Sequence, residues 1–436
     1  MQRNHRWIGF GALLLLAVGA SPAVARGRDR AERPKQEIWY HTGYPGGVVG
    51  PNEGMSALMG PTKMPHVFAE IVRAGLVPGS QLHTDAGQVR GRQRPAAPMD
   101  LASLRQVHTD DYLKAVLTGQ PAELATSQGL PRWDANIARG WLLNTGGLFA
   151  AAETALQKNT ITANLGHGYH HASPSTGMGF CTVNGLGVVA KKLAAQGKKV
   201  LIVDLDQHEG NGTADCVIGE RNVWNVSIYG SYMGGPDATP NNRVLAVNHR
   251  AVEKGLKRDV NYLAAISSRL PAMIDEIQPD IIIYQAGMDP YDCAGITPEA
   301  LKARDAYVFS LARTRNIPLT WVLAGGYTDV ATLVRLHTGT VKAANEVLGQ
   351  VNVGHQVVSA GGDAYAWSTR GRSVRFADWR ALNEQLNGRE HVQARRELSA
   401  VEVEEFMAGR AALMQSRRLP DRHMEQAFRG LFGDAP

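Results

Sequence analysis

Four short stretches gather the residue types that do chemistry. They are "HGYHHASPSTGMGFC" (His167–Cys181), "VDLDQHEGNGT" (Val203–Thr213), "QAGMDP" (Gln285–Pro290) and "AGGYTD" (Ala324–Asp329). Each follows a short apolar run: "ITANL", "KKVLI", "DIIIY" and "LTWVL" in turn. An open parallel sheet places its chemistry beyond the carboxyl ends of its strands. One coincidence of this kind is common; four in a single chain mark a site.

Asp204, Asp206 and His208 are spaced i, i+2, i+4, which on extended backbone puts three side chains on one face. Leu205 and Gln207 then point the other way. Carboxylate and imidazole donors suit zinc or another borderline divalent ion, and Asp289, at the end of the next strand motif, supplies a third ligand. Three protein ligands leave a coordination position open, as a catalytic site requires. The competing reading is an Asp-rich strand end that caps a helix or pairs with Arg.

His170 and His171 then gain a role. Water activated by a metal needs a base, and a departing amine needs an acid; imidazole titrates near working pH and does both. The plainer alternative for adjacent histidines beside glycines is a polar turn. Asp204 and Asn211 are candidates to fix which ring nitrogen carries the proton. Tyr327, on the loop "GGY", can donate to a carbonyl oxygen as charge builds there, or can simply pack at a strand end.

Elements must hold these groups in place. The 436 residues are 44% hydrophobic and 20% charged, an ordinary globular composition. Helical spacing recurs in "MPHVFAEIVRAGL", "DLASLRQVHTDDYLKAVLTG" and "ANIARGWLLNTGGLFAAAETALQK", the last as one long helix or two. From "TITANL" onward, apolar strand-like runs alternate with helices, which indicates a parallel sheet covered on both faces. Past residue 350 the chain turns Gly/Ser-rich and then charged, with a Ser399…Glu402 capping box opening a helix. Residues 351–436 are expected as a C-terminal, mainly helical extension.

The N-terminus has three parts in secretory order: "MQRNHR", the apolar "WIGFGALLLLAVGA", and a small-x-small site at Ala23–Ala25. Residues 1–25 read as a cleaved signal and 26–37 as a flexible leader, with the product periplasmic or secreted. Retention of the apolar run as a membrane anchor is the lesser alternative, and no stable membrane insertion is expected once the signal is cut. The net charge falls from +6 to +4 when Arg3 and Arg6 leave. The remaining charge is scattered, with no basic block longer than "RR", which gives no support for nucleic-acid binding. Cys181, Cys216 and Cys293 are an odd number at unrelated spacings, and are expected as buried free thiols rather than a disulfide framework.

In this order, "HGYHHA…GMGFC", "VDLDQHEGNGT", "QAGMDP" and "AGGY" resemble the zinc-dependent histone deacetylases and their bacterial relatives, most closely the class IV branch. The resemblance covers residues 38–350. It implies an α/β, arginase/deacetylase-type single domain with a parallel sheet of about eight strands flanked by helices. It implies one zinc per chain on Asp206, His208 and Asp289, with His170 and His171 as the catalytic pair. His171 would be the main base and acid, with His170 tuning electrostatics. Asp204 would pair with the first histidine, Asn211 would lie beside the second, and Tyr327 would stabilise the oxyanion. Gly179 and Phe180 would wall the channel for an acyl-lysine stem. The family also holds a potassium ion through the Asp204–His208 backbone and a serine that aligns with Ser227.

Some positions depart from the family. Glu209 replaces a second histidine. "GPNEGMSALMGPTKMPHVF" matches the usual opening poorly, and Tyr232 and Met233 align only loosely as channel residues. The implied activity is zinc-dependent removal of an acyl group, acetyl first of all, from an amine such as acyl-lysine or an acetylated polyamine. Export argues against histones as the natural substrate. A ureohydrolase of arginase or agmatinase type would need a second metal and an Asp where this chain has Gly210. A non-catalytic secreted binding protein would have lost Tyr327, a ligand or a histidine.

Overall fold

The computed structural model describes residues 34–44, 63–249, 256–349, 365–366, 374–375, 392–394, 396–416 and 418–432. The expected signal at 1–25 lies outside the described residues, as does most of the expected leader. The folded chain starts earlier than residue 38, however. Gln36 is fully buried and donates to the Val341 carbonyl, and Glu37 opens the first strand.

Eight parallel strands form the sheet: β1 (Glu37–Trp39), β2 (Leu82–His83), β3 (Ile161–Asn164), β4 (Val200–Asp204), β5 (Val223–Tyr229), β6 (Asn242–Val247), β7 (Ile281–Gly287) and β8 (Leu319–Ala324). Their spatial order is β6-β5-β4-β7-β8-β3-β1-β2. A ninth strand, Val392–Ala394, joins β6 antiparallel, so the C-terminal extension contributes to the sheet as well as helices.

The central strands read as unbroken apolar runs because both faces are covered. Leu201, Val203, Ile282 and Tyr284 point into one core, while their neighbours Val200, Ile202, Ile281 and Ile283 point into the other. "ANIARGWLLNTGGLFAAAETALQK" is a single helix, Ala135–Lys158, capped by Asp134 at its start and by Asn159 in the left-handed conformation at its end. "DLASLRQVHTDDYLKAVLTG" divides into Leu101–Leu104 and Asp110–Thr118, the second capped by Thr109.

Two helices, Ala400–Gln415 and Asp421–Phe432, follow the ninth strand. The first opens on the expected capping box, with both the Ser399 and Glu402 halves formed. Arg410 donates to the Asp215 carbonyl and pairs with Glu220, and the second helix buries Met424 in the main core. All three cysteines are free. Cys181 and Cys216 are buried as expected, whereas Cys293 is exposed.

Candidate metal-dependent active site

The site forms where β4, β7 and β8 end side by side. The strand expected to run through Asp-x-Asp-x-His stops at Asp204, and the backbone bends at Asp206 and Gln207. The bend divides the three residues. Asp204 turns to His170, whose Nδ1 lies 2.8 Å from Asp204 Oδ2. Asp206 and His208 turn instead toward Asp289, the first residue of the short helix after β7. Leu205 goes to the core, and Gln207 donates its backbone N–H to Asp289 Oδ1 at 3.1 Å.

Asp206, His208 and Asp289 offer ligand atoms that all lie within 4.8 Å of one another. His208 Nδ1 is 2.7 Å from Asp289 Oδ2 and 3.3 Å from Asp206 Oδ1. Asp206 Oδ2 is buried with no hydrogen-bond partner. An orphaned carboxylate oxygen costs free energy unless a cation or donor meets it, so this donor set fits a divalent ion. The charges agree. Burial works against it, yet the bonds to Asp206 and Asp289 hold His208 up to about 10. Burial and the Asp206 charge push Asp289 up to about 7. Two carboxylates so close together need a positive charge between them.

The histidine pair sits beside this triangle, its rings 3.8 Å apart between centroids. The two rings have different partners. Burial opposes it, but the Asp204 carboxylate and then Asp206 hold His170 above the ordinary imidazole value. His171 Nδ1 meets a neutral amide, Asn211 Oδ1, at 2.7 Å. Burial and the neighbouring His170 push His171 down to about 3. With Nδ1–H donating to the amide oxygen, Nε2 of His171 carries the free lone pair.

Tyr327 follows β8 on the loop that begins at Gly325. Its backbone N–H donates to Asp292 Oδ2 at 3.0 Å, and its phenol is held protonated by burial and by the Asp289 and Asp206 charges. Gly179 and Phe180 line the same pocket, together with His167, His170, Cys181 and Tyr327. Ser227 lies opposite Asp204 in the β4–β5 register and accepts from the Gly210 N–H at 3.3 Å. A side chain at Gly210 would put its Cβ 2.5 Å from Asp204 Oδ2. The aspartate that a two-metal ureohydrolase carries there would have to push the Asp204 carboxylate off His170. Glu209, the departure after His208, is buried and accepts from the Met233 and Gly235 N–H groups at 3.1 and 3.0 Å, which ties down the loop carrying Tyr232 and Met233.

Several residues of the site gave no sign in the sequence. Arg304 is fully buried behind the Asp206–His208–Asp289 triangle and donates to the Leu205 carbonyl at 3.1 Å and the Gly287 carbonyl at 2.6 Å. It thereby joins the ends of β4 and β7, and its charge is matched by Asp305. Lys63 lines the pocket from the first turn of helix Lys63–Arg73, in the stretch that matched the family opening poorly. His167 and Gln285 stand inside quoted motifs without having been assigned a part.

Comparison with known proteins agrees with this arrangement. The Histone deacetylase domain profile matches residues 58–344. An uncharacterized protein of Picosynechococcus is 30% identical over 58% of this chain and 85% of its own length. Histone deacetylase 2 of Arabidopsis thaliana is 28% identical over 51% of this chain and 59% of its own, and Histone deacetylase 1 of Homo sapiens 27% identical over 52% and 50%. The chain therefore spans only about half the length of these named relatives. In three dimensions, the crystal structure of the HDA15 HD domain aligns with a TM-score of 0.56 at 20% identity, covering 73% of this chain and 92% of that one. With a profile match that covers well over half of its length, the chain belongs to the histone deacetylase family.

Proposed function

We propose that the protein is a zinc-dependent amidohydrolase that removes an acyl group, acetyl in the simplest case, from an amine such as acyl-lysine or an acetylated polyamine. The observation that carries this reading is the unpartnered Asp206 Oδ2 inside the Asp206–His208–Asp289 triangle, in reach of a histidine pair and a pocket tyrosine. Asp206, His208 and Asp289 would hold a zinc ion, which would supply Lewis acidity toward the amide carbonyl and acidify water near neutral pH.

The protein's own groups do the rest. His171, neutral and with Nε2 free, takes the proton from the attacking water and returns it to the departing amine. His170, kept charged by Asp204, sets the local field and disfavours early protonation of His171. The Tyr327 hydroxyl donates to the carbonyl oxygen as negative charge develops. Phe180 and Gly179 hold the stem of the amine and exclude water from one side. Potassium at Asp204 and Ser227 remains part of the proposal as a structural ion. So does export by a signal at 1–25; among the described residues no helix is long and apolar enough to cross a membrane.

Hydrolysis of a fluorogenic acetyl-lysine peptide, run beside metal analysis, tests the reading. His171→Ala and Tyr327→Phe should each lower kcat about 10²- to 10⁴-fold while metal content stays near one zinc per chain. Near-normal turnover in either variant, or hydrolysis that survives exhaustive chelation, would refute it.

A further inference from the structure

The inner end of the pocket carries a charge that hydrolysis of a simple acetyl group does not use. Lys63 is 2% exposed, yet it lines the pocket that holds Tyr327. Among the described residues its ammonium makes one hydrogen bond, to the Gly325 carbonyl, two residues before Tyr327. An ammonium has three N–H donors, so two remain unused among the described residues. Burial pushes Lys63 down to about 8, and the charges of Asp289, Asp206 and Asp292 keep it from falling further. Asp289 and Asp206 are the proposed metal ligands. A divalent cation between them neutralises both, and leaves Lys63 facing Asp292, whose carboxylate already accepts from the Tyr327 N–H.

The neighbours of Lys63 are also unsatisfied. His167 Nε2 and Gln285 Oε1 are buried without partners, and both residues line the same pocket. His337, behind them, has neither ring nitrogen partnered, and is coupled by charge to both Lys63 and His167. Burial holds His167 and His337 well below the ordinary imidazole value, so both are neutral. Each buried polar atom left unpaired carries an uncompensated desolvation penalty, and an uncompensated charge carries a larger one. An alkyl acyl tail pointed at this end would leave every one of these groups unsatisfied. A carboxylate accepts from N–H donors, so it would pair with the Lys63 ammonium and with an Nε2–H of His167, the two donors that face the pocket, though it offers nothing to the Gln285 Oε1 acceptor.

Resting on the hydrolase reading above, we propose that the preferred acyl groups are monoamides of short dicarboxylic acids, such as succinyl and glutaryl, with the distal carboxylate held by Lys63 and His167. The reaction stays a hydrolysis. Water adds to the carbonyl carbon, the C–N bond breaks, the amine leaves with a proton, and the dicarboxylate is released.

The decisive experiment compares kcat/KM on one fluorogenic lysine peptide bearing acetyl, pentanoyl, succinyl or glutaryl. The zinc-loaded full chain should favour succinyl or glutaryl over the uncharged pentanoyl by about tenfold or more. Lys63→Met should bring that ratio close to one, and Lys63→Arg should retain much of it. Calorimetry gives a readout free of turnover: glutarate should bind the wild-type protein about tenfold more tightly than pentanoate, with the difference lost in Lys63→Met. Equal or better use of pentanoyl together with equal binding of the two acids overturns the proposal. So does a ratio that Lys63→Met leaves unchanged, which would make Lys63 only a support for the Gly325 loop. Failure to cleave any acyl-lysine, acetyl included, sinks the hydrolase reading instead, and the two acids still decide whether the inner end takes a carboxylate.

Discussion

The floor of the pocket and its wall are held by different physics. The floor consists of strand ends: Asp206 and His208 beyond β4, Asp289 beyond β7, with Arg304 bridging both from behind. The wall is the segment 173–184, which has no regular strand or helix before residue 185 and carries Gly179 and Phe180 at its inner bend. Buried charge fixes the floor. Neutral hydrogen bonds and two residues with positive φ fix the wall. The floor should therefore fail abruptly when a charge is removed, whereas the wall should loosen by degrees.

Arg304→Met gives the largest expected effect. Its partner Asp305 also accepts from the hydroxyls of Tyr284 and Thr340, at 2.6 Å each, but would lose its only cation among the described residues. Breaking a buried pair by removing one partner costs about 3–5 kcal/mol. The Leu205 and Gly287 carbonyls would be released together, so zinc affinity by chelator competition should fall along with the urea midpoint. Arg396→Ala, which removes exposed pairs with Glu402 and Asp237, is the control and should leave the urea midpoint close to that of the wild type. Similar midpoints for the two variants would erase the contrast between a charged floor and the remaining surface.

The same contrast explains what could be read from the sequence. The floor was legible because parallel strands deliver candidate ligands at fixed short spacings after unmistakable apolar runs, as they do Asp206, His208 and Asp289. Even there, periodicity alone put Asp204 with the metal set; the bend after β4 hands it to His170. Arg304 was invisible because a cation inside the helical pattern "EALKARDAYVF" ordinarily faces water. Lys63 was hidden for the same reason, since only tertiary packing makes it 2% exposed. Gln36 docks on the helix Val330–Leu348 and the strand Val392–Ala394 joins the sheet, each from a segment whose composition reads as leader or extension. Their pairing is with distant partners, which local pattern does not encode.

Gly179→Ala probes the wall at its tightest point. Gly179 has φ +52°, and a Cβ there would lie 2.5 Å from His171 Cδ2. A left-handed alanine costs about 1–2 kcal/mol, and the clash displaces the ring proposed as base. A shift of that kind lowers kcat on the order of tenfold to a hundredfold. Zinc affinity should hold, because no ligand moves. Loss of metal in Gly179→Ala would mean that wall and floor are one unit.

His108 produces the smallest effect and tests the wall by pH. Its Nδ1 lies 3.1 Å from the Ser173 carbonyl, and its Nε2 accepts from the Asn184 N–H at 3.0 Å, so one imidazole closes the segment 173–184 at both ends. Because a backbone N–H can only donate, the ring must be neutral, with its proton on Nδ1. Burial pushes His108 down to about 4, and Lys191 adds to the shift. The unfolded chain binds a proton near pH 6.5 that the folded chain refuses until about pH 4. In that window the unfolded state holds more protons, and stability must fall as pH falls, by about 1.4 kcal/mol per unit for one such group. Other buried histidines add to the slope, so the measurement is a difference. From pH 7.5 to 5.5, His108→Gln should lose about 1 kcal/mol less than the wild type in urea unfolding. Parallel stability curves would place the anchor of the wall somewhere other than this ring.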